Sequence, residues 1–325
     1  MTIPSSNSII STLLQPTVSD LRERMGNVSE EAVTGRRSDL TLHLGGQIGK
    51  AMLSQRALDD LTQQRTFLNL RETRLEAMQT QLALVQEASS GIGVEVTSAL
   101  GSGDDRALDY AARDAESALT QIFASLNTQL GDRFLFSGDA TATPTLGSSE
   151  QLIEDVRQIA LTAIDEADFA ANIDAYFNDP AGGWQQNIYQ GSTQVSDPDA
   201  ITAIDPAITE LISGLAVASL AKIDAAIPLF DTSSAPLEAA SVRLLSGQTS
   251  LIERRGDLGL IQERISDQLS SLDVEETLLT KAFSDIAARD QYEAASELAL
   301  LETNLEAAYL LTSRIAGLSL LNYLR

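Results

Sequence analysis

The chain has 325 residues, no cysteine, a single histidine and a formal net charge of −24. Disulfides, thiolate chemistry and cysteine-based metal sites are therefore excluded, and nucleic acid and anionic lipid are repelled, because binding them needs concentrated Lys and Arg. Aromatic residues make up only 5% of a chain that is 43% hydrophobic, so its cores must be built from Leu, Ile, Val and Ala, which suits packed helices better than stacked sheets.

The first residues, Met1 to Ile10, have no basic region and no long apolar run, so no cleaved signal peptide is expected. No stretch approaches the ~20 apolar residues of a membrane span, and membrane insertion is not expected. The first strong pattern is Leu14, Val18, Leu21, Met25, Val28 and Ala32, stepping alternately by four and three. This heptad seam predicts a helix over 8–33, stopped by Thr34-Gly35. A second seam, Leu61, Leu68, Leu75 and Leu82 with Met78 and Val85 between, predicts a helix over 50–89. At ~1.5 Å per residue it would span roughly 60 Å. Ser102-Gly103-Asp104-Asp105 offers an N-cap for a third helix. Its stripe would be Ala115, Leu119, Ile122, Leu126 and Leu130, closed by Gly131.

From Gly138 the texture changes. Pro144, Pro180, Pro198, Pro206, Pro228 and Pro236 all fall here, which predicts an inserted domain over 139–240. Helices are expected over 152–177 and 208–227, and a short hairpin over 184–203, with Trp184 and Tyr189 anchoring a small core. The C-terminal third reads as helical: one helix over 237–272, a cap at Asp273, then a seam of Leu298, Leu301, Leu305, Ala308, Thr312 and Ile315. The expected layout is an assembly helix over 1–33, stem over 34–138 and 241–297, the insert, and a second assembly helix over 298–325. The fold class is mainly α: an elongated bundle of long helices from both termini with a small inserted α+β domain.

A single amphipathic helix cannot hide its own seam. Burying five such side chains contributes ~1.5–3 kcal/mol each, while fixing some 25 residues costs ~1–2 kcal/mol apiece. Order at the two ends should therefore depend on partners. The expected assembly interface is Leu14, Val18, Leu21, Met25 and Val28 at one end. Leu298, Leu301, Leu305, Ile315, Leu318 and Leu321 form it at the other.

Catalytic and cofactor readings are weak. His43 stands alone, and Leu44 to Ala51 lacks both the first Gly and the Ser or Thr of a phosphate loop. Asp104/Asp105, Asp165/Glu166/Asp168 and Asp197/Asp199 read as caps and solvated loops, with no EF-hand spacing. No enzyme activity, cofactor or metal is expected.

Three segments carry a family resemblance. Val33-Thr34-Gly35-Arg36-Arg37 is similar to the Thr/Ser-Gly-basic-Arg step after the first helix of the flagellin superfamily, although Ser38-Asp39-Leu40 stands where Asp-Asp-Pro commonly follows. Gly131-Asp-Arg-Phe-Leu-Phe-Ser-Gly138 and the tail Ser319-Leu-Leu-Asn-Tyr-Leu324 resemble members at the hook–filament junction more than filament flagellin. On spacing alone, Gly131 caps a helix, Phe134 and Phe136 alternate to one face, and Ser137-Gly138 turns the chain, a rigid exit from rod to outer domain. The resemblance implies a structural, self-assembling subunit of the bacterial flagellum, exported through the flagellar type III route to an extracellular position. It also implies contacts with a neighbouring hook-associated protein and flagellin, and a cytosolic export chaperone on the C-terminal helix. The readings kept beside it are filament flagellin and, more distantly, a cytosolic coiled-coil adaptor.

Overall fold

The computed structural model describes the backbone of residues 6–38, 48–222 and 226–323. It describes their side chains except at 6–17, 48, 51, 231 and 315–323. The protein is mainly α: of its described residues 77% are helical, and only a small two-stranded sheet stands among them. In chain order the elements begin with α1 Ser6–Thr34, α2 Ile48–Ser89, α3 Ile92–Ser102 and α4 Asp105–Leu126. The hairpin β1 Gln129–Leu130 and β2 Arg133–Phe134 follows. Then come α5 Ser149–Thr162, α6 Glu166–Asn178, a π-helical turn Trp184–Ile188, α7 Pro206–Ala218, α8 Pro228–Thr232, α9 Ala235–Ala287 and α10 Gln291–Tyr323.

The chain divides into two units. The first comprises residues 1–66 and 269–325, the second residues 67–268. Both α2 and α9 contribute residues to each unit.

In the second unit the α2 seam Leu75, Met78, Leu82 and Val85 is fully buried, as is the α9 seam Leu244, Leu251, Leu258 and Ile265. Steps of seven on α9 and of three and four on α2 keep each stripe facing its partner. Polar side chains tie the two helices alongside the stripes. Gln79 Nε2 donates to the Arg255 carbonyl at 2.6 Å, and Gln248 Nε2 donates to the Ser89 carbonyl at 2.7 Å. Helix α7 is buried almost all round, as expected of a helix apolar on every face. Asp205 starts it by accepting from Ala207 N, with Pro206 in the first helical turn. Trp184 lies fully buried between Phe123 and Phe177, at centroid distances of 6.3 and 5.6 Å.

Several sequence expectations are corrected. Asp104 caps α4 as expected, but α4 ends at Leu126, and Leu130 lies on β1. Gly131 is therefore the left-handed residue of the β1–β2 turn and not a helix cap. Period-four spacing ran on past the helix by coincidence. Residues 152–177 form two helices, because Asp165 caps α6 through Asp168 N. The expected 208–227 helix stops at Ala218. The 184–203 hairpin is absent: a π-turn stands there, with one isolated bridge between Leu146 and Tyr189. Asp273 caps nothing, since α9 runs on to Ala287 and Asp273 pairs with Arg65. The stretch 139–240 packs in one unit with 67–138 and 241–268, and among its described residues there is no strand.

Candidate assembly surface

In the first unit α1 packs against α10. The shared core is Val28, Ala294 and Leu301, all buried, with Leu21, Met25, Ala32 and Leu298 partly buried around it. Steps of four, three and four on α1, and of four and three on α10, put these residues on facing stripes. Among the described side chains the stripe runs from Val18 on α1 and reaches Leu305 on α10, both half-buried. Polar groups border it. Arg22 Nε donates to Tyr309 Oη at 2.8 Å, with its guanidinium 5.5 Å from the ring centre. Arg24 lies 3.7 Å from Glu297. The structure thus brings Val18, Leu21, Met25, Val28, Leu298, Leu301 and Leu305 together on one helix pair within a single chain. The side chains of Leu14, Ile315, Leu318 and Leu321 lie outside the described residues, as does His43.

One side of α10 is covered this way. A second stripe is not: Leu300 is 62% exposed and Leu311 56% exposed, with Ala307 between them. At 100° per residue this stripe lies roughly a third of a turn from the buried seam. Tyr292 and Leu310 are exposed as well. Sequence reasoning counted only the seam; the steps Leu300, Ala307, Leu311 and Leu318 carried the same signal one position away.

The junction motif occupies the second unit. Phe136 is buried and its carbonyl accepts from Ala203 N at 3.1 Å. Ser137 O accepts from Ser192 N at 2.8 Å. The strand ends at Phe134, and Leu135, Phe136 and Ser137 are all buried, so the expected one-face alternation fails. Gly138 has φ +61°, and a Cβ there would meet Ser192 O at 2.4 Å. Asp139 accepts from Ser196 N and Ser196 Oγ at 2.8 and 2.7 Å. These bonds hold its carboxyl below the usual aspartate range. Arg71 and Arg74 pair with Asp199 and Asp197, which explains these acidic residues without a ligand. Burial lowers the Arg74 pKa, and neighbouring Arg133 adds to the effect. Burial pushes the Tyr189 hydroxyl up to about 12, and it donates to Ser192 O at 2.8 Å. Phe136, Ser137, Gly138 and Asp139 therefore hold residues 192–203, whereas Gly131 and Phe134 belong to the β1–β2 hairpin. Among the described residues no group of three acidic or histidine side chains could hold a metal. No helix among them is long and apolar enough to cross a membrane.

Residues 246–324 match the family model of the bacterial flagellin C-terminal helical region, a span that takes in most of α9 and all of α10. A solved structure described as a flagellar hook-associated protein from Vibrio parahaemolyticus is 16% identical. It covers 70% of this chain and 95% of its own, with a TM-score of 0.37. No curated protein sequence matches the chain.

Proposed function

We propose that the protein is a non-enzymatic structural subunit of the bacterial flagellum, located at the junction of hook and filament and assembled through its terminal helices. The observation that carries this reading is the half-covered α10. A helix with apolar residues round its circumference belongs in an interior, yet α1 covers one side only. Neighbouring copies supply the remaining cover and complete the ordering of both ends. The match of residues 246–324 to the flagellin C-terminal region agrees with this reading.

Charge agrees too. The second unit holds 30 acidic and 11 basic residues, a net −19, whereas the first holds 16 and 11, a net −5. The surface that must meet copies of itself is the one with little self-repulsion. The placement at the junction, and not along the filament, rests on the resemblance of Gly131–Gly138 and of the 319–324 tail. Export without a cleaved signal, a chaperone on the C-terminal helix, and contacts with a hook-associated neighbour and flagellin belong to the same proposal.

Deleting the gene tests it. Hooks without filaments, with flagellin shed into the medium, support the junction role. Normal filaments and motility would overturn it. Recovery of this chain as the bulk of sheared filaments would favour filament flagellin instead.

A further inference from the structure

Heptad stripes have a weakness. Sliding one helix past the other by seven residues again sets apolar residues against apolar residues, so greasy contact alone specifies register poorly. The stripes Leu21, Met25, Val28, Ala32 and Ala294, Leu298, Leu301, Leu305 repeat in this way. Something else must choose one alignment of α1 and α10.

At the end of the pair a charged group is buried. The Arg289 side chain is only 7% exposed, in the short turn between α9 and α10. Its Nη2 meets Glu297 Oε2 at 2.5 Å, Nη1 lies 4.0 Å from Glu293, and Nε lies 3.5 Å from Glu31 Oε2, an ion pair without a hydrogen bond. Glu31 is on α1, and its other oxygen accepts from Ser38 N at 2.9 Å and Ser38 Oγ at 3.1 Å. Glu297 also reaches back to Arg24 of α1. Backbone bonds reinforce the contact. Arg289 N donates to Gly35 O at 2.9 Å, and Arg37 N donates to Ala287 O at 3.0 Å, around an isolated bridge between Arg36 and Ala288. Gly35 makes this possible by ending α1 at φ +65°, with Gln291 packed where a Cβ would stand.

We propose that Arg289 is the register-setting residue of the terminal helix pair, fixing α1 against α10 in one of several alignments that the apolar stripes alone would allow. Burying a guanidinium among carboxylates contributes little net stability, but a misplaced one is expensive, because the charge is left unpaired in a dry site. A seven-residue slip would carry Glu31 roughly 10 Å away along the helix and strand both charges. The penalty falls on the wrong alignments and leaves the native one nearly unchanged. This inference does not depend on the flagellar reading.

The chain has no cysteine, so spin labels can be placed cleanly at Asn27→Cys and Ser296→Cys, both on exposed positions. Full-length labelled chain is diluted into unlabelled chain in sulfate buffer, which favours burial, and the label–label distance is measured by pulsed electron paramagnetic resonance. The parent should give one narrow distance, and a parent without one overturns the proposal. Arg289→Met and Glu31→Gln should each add a second, longer label–label distance, as one helix slides about 10 Å, one heptad of helix rise, past the other. Leu298→Ala, which weakens packing and leaves the ions in place, should broaden the native distance without that second population. A single native distance in Arg289→Met, or the same displaced population in Leu298→Ala, overturns the proposal. If Arg289→Met gives no defined distance, Arg289→Lys decides: recovery of the native distance supports the inference, and failure to recover it refutes it.

Discussion

Gly138 shows how much one missing methyl can carry. Its left-handed φ and the 2.4 Å approach of Ser192 O to an added Cβ leave no room for alanine. Gly138→Ala should destabilise the second unit by about 2 kcal/mol or more, read as a lower urea midpoint with an unchanged slope. Tyr189 gives a pH-dependent counterpart at the same Ser192 carbonyl. Its folded pKa of about 12 lies above the ordinary tyrosine value of ~10. The neutral hydroxyl thus contributes stability that is fully present below pH ~10 and is lost as pH rises towards 12. An alkaline titration of stability should show this loss in the parent, and Tyr189→Phe should show less of it. Neither effect was visible beforehand. A glycine between Ser137 and Asp139 looks like any turn, and the carbonyl that confines it comes from 54 residues further along the chain.

At the level of helices, buried and exposed stripes should respond differently. Leu301, buried against α1, should cost ~2–4 kcal/mol of helix pairing when changed to alanine, with the second unit unaffected because distant sites add independently. Leu21→Asp should abolish the pairing and, under the proposed function, prevent incorporation into the flagellum. Leu311→Ser should leave the stability of the free chain within about ±0.5 kcal/mol, as exposed sites do, yet lower self-assembly measured by sedimentation. Equal assembly by parent and Leu311→Ser would remove the second stripe from the interface. Helices α1 and α2 were legible to within two residues because their seams repeat without interruption. The misreadings have local causes. Asp273 before an apolar run looks like a cap, but its carboxylate is taken by Arg65. The true break, at 288–290, has Asp290 accepting from Tyr292 N and Glu293 N and presents nothing stronger in sequence. Arg289 could not be found from sequence, since its partners Glu31 and Glu297 come from opposite ends of the chain.

For the molecule as a whole, charge sets the conditions of assembly. With −24 overall and −19 of it in residues 67–268, copies repel one another at low salt. Raising ionic strength from about 0.01 to 0.15 M shortens the screening length from ~30 to ~8 Å. Self-association followed by light scattering should therefore rise across that range. A fall with salt would mean that ion pairs, and not apolar stripes, hold the copies together.

The contact between Val33 and Gln291 spans 258 positions of chain. Helix α1 is thus covered by a helix made some 258 residues later. At ~5–20 residues per second, the ribosome leaves the α1 stripe without its intramolecular cover for tens of seconds. An emerging polypeptide must tolerate that interval without clumping, and the few aromatic side chains and frequent charges along residues 20–31 are the means it has to do so.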